Sequence, residues 1–505
     1  MFRVTIYNIN FGIGWASSGV EYAQAYRAKL LRQTTEDAKF IFLDFIQSEN
    51  IQTLTSNMGF KDDEIIWLYQ YFSDIKIAPT TYTIDDIKRE LGETVFEEEH
   101  DGKVKRLYYR NENSFVTCYL QHPEKDIVDR AEFVINGMLV RKDFYSYVRV
   151  FSEYYAPHND VAKLYMRQFY NEDGSIVYNE YIDGEDSFYA FPDAKLYSKP
   201  EFVAYFIDQL GLTSDDILIL DRSTDVAQAV LQHKGDSQLG VVVHAEHYSE
   251  NATNEEHVLW NNYYEYQFNN ADEFDFFITA TERQNQIMRE QFEQYYGYVP
   301  PIYTIPVGNL HQLTKPKAER KPYSMVSASR LASEKHIDWL VRAAILAKKE
   351  VPELTFDIYG EGGERSMIAE IIKEHEAEDY IRLLGHVNLD EVYVNYDLFV
   401  SASTSEGFGL TLMEAVGSGL GMLGFDVNYG NPTFIRDGKN GYIVPIDQQQ
   451  DELEDLVQRL SEHMVRYFND GPSKPHQASY DIAKPFKTEN IVKQWQNLIE
   501  EVRHD

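Results

Sequence analysis

Glu406 and Glu414 stand eight positions apart in SEGFGLTLMEAV (405–416), with Gly407, Phe408 and Gly409 directly after the first. Glycines at 407 and 409 let a backbone come close to a ligand. The amides of Gly409, Leu410 and Thr411, at the start of the following helix, offer an anion site. Arg330 and Lys335, five residues apart in RLASEK, bring two positive charges that can neutralise a diphosphate. Carboxylates beside a diphosphate would repel it unless they face its uncharged ends. Glu406 and Glu414 are good acceptors for vicinal hydroxyls, so the implied ligand is a sugar nucleotide, with Glu414 on the ribose and Glu406 on the transferable group. The competing reading is that both glutamates merely occupy early helical turns, where acids are welcome.

The elements that position these residues follow from the pattern. Strand-like stretches YSMVSASR, LTFDIYG, YIRLLGHV and YDLFVSAS alternate with helical ones after residue 313, and the chemistry-bearing residues fall at strand carboxyl ends: Arg330, Gly360, His386 with Val387, and Glu406. Ligands of open parallel sheets sit at such ends. Residues 1–75 and 201–312 carry the same rhythm, in FRVTIYNI, AKFIFLDF, DDILIL and GVVVHAE. Between them, 76–200 reads as successive hairpins, including AEFVI-NG-MLVRK with its Asn-Gly turn. HQLTKPKAERKP (311–322) reads as a linker. The expected architecture is α/β: two doubly wound Rossmann-like domains (1–75 with 201–312, and 313–485) facing a cleft. An antiparallel β-meander is inserted in the first, and a helix in 486–505 crosses back to it. Of the 37 tyrosines, 14 lie in the insert, either as cross-strand pairs or as a solvent-facing platform for an extended polypeptide.

Arg330 and Lys335 taken with Glu406-x7-Glu414 resemble the retaining glycosyltransferases of family 4, which have the GT-B fold. The resemblance implies that Arg330 and Lys335 grip the donor diphosphate and Glu406 the sugar. It puts Glu414 on the ribose, the main chain of Gly407, Phe408, Gly409, Leu410 and Thr411 on phosphate, and His386 and Val387 on the base. The family's Gly-Gly-x-Glu loop is matched by Ser18-Gly19-Val20-Glu21, a serine replacing one glycine, and Gly14 adds flexibility; an ordinary strand–helix turn is the plainer reading. His244, closing GVVVH, is implied as a contact to the donor sugar, against the alternative of a satisfied loop histidine. His244 with His247 (HAEH) lacks the spacing of a zinc motif, so no metal or other cofactor is expected and the UDP-sugar is a substrate. Over nearly the whole chain, YNINFGIGWASSGVEYAQAYRA included, the sequence looks like the catalytic subunits of the accessory Sec-system peptide O-GlcNAc transferases of Gram-positive bacteria. That implies GlcNAc transfer to Ser/Thr of a serine-rich repeat adhesin, with a homologous, catalytically silent co-activator subunit and a Ser/Thr-rich polypeptide as partners. The alternatives are UDP-glucose as donor, a teichoic-acid acceptor, or the non-catalytic co-activator itself.

Composition narrows the remaining classes. The formal charge of −35 repels nucleic acid and anionic lipid. No apolar run approaches the ~18 residues of a membrane span, and no signal peptide is read at the N-terminus. One cysteine, Cys118, rules out an internal disulfide and fits a reducing compartment. A cytoplasmic protein is expected, with at most peripheral contact at the inner face of the membrane.

Overall fold

The computed structural model describes residues 4–14, 19–159, 161–389 and 391–503. Two compact units are present: residues 1–241 with 262–275, and 242–261 with 276–505. The second unit thus takes in 242–261 and 276–312, which the sequence reading groups with the first domain. A physical reason is visible inside that unit, where His247 hydrogen-bonds Tyr429 at 3.1 Å.

In the first unit, parallel strands lie in the order Ile65–Trp67, Asp37–Phe42, Thr5–Asn10, Ile217–Leu220, Gln238–Val243. Numbered along the chain, that is 3-2-1-4-5, the start of a doubly wound sheet. Ile217–Leu220, an interior strand of this order, is a continuous buried apolar run, as a parallel strand covered on both faces should be.

The insert is a ten-stranded antiparallel meander running in chain order from Glu97–Asp101 to Lys195–Leu196. Asn136 and Gly137 both have positive φ (50° and 79°), as a two-residue hairpin turn of the primed type requires. A cross-strand stack of rings runs through one face: Phe144 on Phe151 at 4.3 Å, Phe151 on Phe169 at 5.6 Å, Phe169 on Tyr178 at 4.4 Å, Tyr178 on Phe191 at 4.4 Å. Tyr178 also donates to the Tyr69 carbonyl at 2.8 Å, fastening the insert to the α/β part of its unit. Nearby, Arg167 lies 3.7 Å over the Phe45 ring while pairing the buried Glu153 and Glu180, each at 3.0 Å. Lys199 donates to Tyr69 at 2.9 Å, and burial pulls its ammonium down to about 8. Cross-strand ring pairing therefore accounts for part of the insert's tyrosines. Tyr145, Tyr170, Tyr178 and Tyr189 are buried, whereas Tyr165, Tyr181 and Tyr197 are exposed.

In the second unit, six parallel strands lie in the order Ile381–Gly385, Thr355–Tyr359, Ser324–Ala328, Leu398–Val400, Gly421–Phe425, Gly441–Val444. This is 3-2-1-4-5-6, and the order reverses between Ser324–Ala328 and Leu398–Val400. Helices Ile337–Ala347 and Leu453–Asp470 cover one face with Leu340, Val341, Leu460 and Met464 in the core. The stretch 311–322 carries no helix or strand, yet it is tied down: Arg320 donates to the carbonyls of Val394 (3.0 Å) and Tyr396 (2.9 Å). The helix Thr488–Val502 is anchored at its start by Thr488, which bonds Asn309 at 2.8 Å and Leu310. Among the described residues no helix is long and apolar enough to cross a membrane.

The ring stack makes a prediction about which aromatic residues hold the insert. Phe169→Ala should cost about 3–5 kcal/mol of local stability, read as lost hydrogen-exchange protection in strands Arg149–His158 and Val161–Tyr170. Tyr181→Ala, on an exposed ring, should leave that protection unchanged.

Candidate nucleotide-sugar site

Loops leaving the two strands that flank the reversal in the second unit's sheet carry the site. From Ser324–Ala328 the chain passes through Arg330 into a short 3-10 turn, Ser333–Lys335. From Leu398–Val400 it passes through Glu406 into the helix Leu410–Gly417. The loops meet: Lys335 Nζ reaches Glu406 Oε2 at 2.8 Å, with both side chains 18% exposed. The Thr404 amide donates to the Glu334 carbonyl at 3.4 Å, and the His336 ring lies 3.3 Å from the Thr404 hydroxyl. Arg330 is turned outward, 77% exposed, and pairs Glu334 at 3.1 Å. An exposed pair of that kind is worth under about 1 kcal/mol and exchanges readily for a phosphate.

The Gly-Phe-Gly turn has a steric explanation. A Cβ on Gly407 would sit 2.8 Å from the His244 carbonyl oxygen, so only glycine lets the two main chains touch. Gly409 has φ +85° and ends the turn as the N-cap of Leu410–Gly417. No side chain caps that helix and its first turn holds no acid, which favours an anion at its amides. Phe408 is 5% exposed and packs edge-on against Phe434 at 5.2 Å, so only its main chain is left for a ligand. Thr411 and Glu414 are half-buried on the first two turns of the helix. His386 and Val387 are exposed directly after Ile381–Gly385, whose last carbonyl accepts from the Gly360 amide at 2.8 Å.

His244 follows Gln238–Val243 and is half-buried beside Gly407. His247 proves to be a core residue: its ring is fully buried, Nε2 faces Gln291 Oε1 at 2.8 Å, and Nδ1 faces the Tyr429 hydroxyl at 3.1 Å. Burial lowers its pKa to about 4, which keeps it neutral. Among the described residues no group of three or more His, Cys, Asp or Glu side chains could hold a metal ion.

The remaining sequence candidates lie in the first unit. Gly14 opens onto a cavity of about 380 Å³ lined also by Tyr22, Tyr26 and Lys29. Gly19 is exposed and begins the helix Gly19–Leu31, with no described atom within 4 Å of an added Cβ. Val20 is buried, and Ser18 lies outside the described residues. Glu21 is turned inward, 4% exposed, where it accepts from Asn10 (3.3 Å) and Arg222 (2.9 Å). The sequence reading missed Tyr429 and Gly430, whose amides both donate to the Glu406 carbonyl at 2.8 Å. The only local signal was a glycine beside an aromatic residue in NYGNP (428–432).

Contact between Gly407 and His244 yields a test. Gly407→Ala should weaken nucleotide-sugar binding at least about tenfold by calorimetric titration, while overpacking costs about 1–3 kcal/mol of stability. Unchanged affinity would contradict this geometry.

Residues 97–193 match the family described as the GtfA extended beta-sheet domain, and residues 312–467 match glycosyl transferases group 1. The chain is 54% identical over 504 residues to the UDP-N-acetylglucosamine–peptide N-acetylglucosaminyltransferase GtfA subunit of Streptococcus gordonii, covering 99% of each protein. It superposes on the crystal structure of the pneumococcal O-GlcNAc transferase GtfA in complex with UDP and GlcNAc with a TM-score of 0.93 at 52% identity, covering 100% of both chains. On a chain of the GtfA/B complex the TM-score is 0.96 at 53% identity, covering 99% of this chain and 100% of that one. The chain therefore belongs to the family of peptide N-acetylglucosaminyltransferase GtfA subunits.

Proposed function

We propose that this chain transfers N-acetylglucosamine from UDP-N-acetylglucosamine to Ser/Thr hydroxyls of a polypeptide, with retention at the anomeric carbon. The observation that carries the reading is the Lys335–Glu406 pair at the reversal of the sheet, beside the uncapped start of Leu410–Gly417. Arg330, Lys335 and the amides of 409–411 bind the diphosphate and stabilise the charge that grows on departing UDP, the electrostatic contribution that dominates such reactions. Glu406 and His244 hold the sugar, Glu414 the ribose, and His386 and Val387 the uracil. Lysine carries three donors, so Lys335 can keep Glu406 oriented and still offer protons to phosphate.

Attack occurs on the face that UDP leaves. The C1–O bond to UDP breaks, the acceptor oxygen bonds to C1, and its proton passes to a phosphate oxygen of UDP. Glu406 is spoken for by Lys335, which argues against its serving as a covalent nucleophile. Gly14, Gly19, Val20 and Glu21 keep their assignment to substrate contact in this reading, with the Glu21 carboxylate also accepting from Asn10 and Arg222.

A polypeptide acceptor suits the chain better than a polyphosphate one, because a net charge of −35 opposes a polyanion. A serine-rich repeat adhesin is the proposed acceptor, and a homologous non-catalytic subunit the proposed partner. The reaction is placed in the cytoplasm, where UDP-sugars are made, with at most peripheral membrane contact.

The test is UDP release from UDP-GlcNAc and from UDP-glucose, each with and without a long Ser/Thr-rich polypeptide and the co-purified partner. Peptide-stimulated release, faster with UDP-GlcNAc, is expected. Glu406→Ala and Arg330→Ala should each lose at least about a hundredfold in rate with little change in Tm. A wild-type rate in either variant would overturn the site, and release from neither donor would overturn the function.

A further inference from the structure

We propose that His247, Tyr429 and Gln291 form a hydrogen-bonded strut that positions Glu406 and His244 for sugar transfer. The inference rests on the reading of those two residues as donor-sugar contacts. All three strut residues lie in the second unit, and they are positioning residues, acting through the main chain of the loop.

The strut can be followed atom by atom. The Glu406 carbonyl accepts from the amides of Tyr429 and Gly430, both at 2.8 Å, and the Glu406 amide donates to Asn428 at 3.4 Å. The contact is tight as well as polar: a Cβ on Gly430 would come 2.3 Å from the Phe408 carbonyl oxygen and 3.0 Å from Glu406 Cγ. The Tyr429 ring, 1% exposed, then points its hydroxyl at His247 Nδ1, 3.1 Å away. Gln291 Oε1 accepts from His247 Nε2–H at 2.8 Å, which leaves Nδ1 as the acceptor for Tyr429. Gln291 stands on the helix Glu282–Tyr296, which also holds the intervening segment, since Gln284 donates to the Ala245 carbonyl at 2.8 Å. At the other end of that segment the His244 carbonyl lies against Gly407. Residues 244–247 are thus held to the donor loop at two points, one steric and one through hydrogen bonds.

A polar chain in a fully buried place asks for a reason. Tyrosine, histidine and glutamine lose water on burial and regain it only if each bond is made. Apolar side chains of the same volume would fill the space at no such cost. What the polar chain adds is geometry, because it is satisfied in a single arrangement of the loop. Its histidine stays neutral through the physiological range, so the acceptor nitrogen persists.

Tyr429→Phe removes one hydroxyl and keeps the ring. We expect it to lower kcat for GlcNAc transfer about tenfold, with UDP affinity within about twofold of wild type and a modest fall in Tm, because one buried hydrogen bond is lost. His247→Asn keeps an acceptor near Nδ1 and should stay within about threefold of wild type, while His247→Leu should match Tyr429→Phe. The double variant Tyr429→Phe/His247→Leu should be no slower than either single one, as for residues acting as a unit. A wild-type kcat in Tyr429→Phe, equal losses in His247→Asn and His247→Leu, or additive losses in the double variant would overturn the strut. Amide hydrogen exchange supplies a readout independent of activity: in Tyr429→Phe the amides of 406–409 should exchange faster, and unchanged exchange there overturns the inference. If wild type transfers no sugar while those amides do exchange faster, the function reading fails and the strut stands.

Discussion

An ion pair between Lys335 and Glu406, 2.8 Å long and four-fifths hidden from water, joins the two loops on which the site depends. Burying two charges costs desolvation that their attraction barely offsets, so the pair adds little to overall stability. Its value is positional. It cross-links the loops that leave adjacent strands on either side of the reversal in strand order, and it fixes a carboxylate and an ammonium at the place where an open α/β sheet accepts a ligand. Removing either partner costs the two loops their shared anchor.

Around that pair, the second unit gathers several different kinds of force. Arg330 and Lys335 bring cationic charge, the uncapped amides of Leu410–Gly417 partial positive charge, and Glu406 and Glu414 two carboxylates. Close approach of main chain, at Gly407 against His244, replaces a side-chain contact where none would fit. The rigid background is apolar: Phe408 is buried against Phe434, so the turn that carries the ligand-facing amides is fixed by the core beneath it. The first unit contributes a different surface. Its ten-stranded insert is held by a stack of rings on one face and leaves Tyr165 and Tyr181 open to solvent.

Much of this was legible in the sequence because period and punctuation report it directly. Apolar runs leading to Arg330, Gly360 and His386 announce parallel strands, and Asn136-Gly137 announces its hairpin, since each signal is local. What escaped depends on contacts distant in the chain. Tyr429 meets His247 across 182 positions, and nothing near either residue says that the hydroxyl will find the ring. Glu21 carries an acidic side chain in the first turn of Gly19–Leu31, and its carboxylate turns inward to Asn10 and Arg222, a choice made by tertiary packing. Phe408 likewise sits inside the Gly-Phe-Gly turn with its side chain committed to the core. Types and spacing locate a site; orientation within it belongs to the fold.

The central claim is that a nucleotide sugar sits where the loops bearing Lys335 and Glu406 meet. A crystal structure with UDP-N-acetylglucosamine bound tests it most directly. The diphosphate is expected at the amides of 409–411 between Arg330 and Lys335, the ribose at Glu414, and the Lys335–Glu406 pair retained. A diphosphate bound away from these amides, or a Glu406 carboxylate bonded to C1 of the sugar, would contradict it.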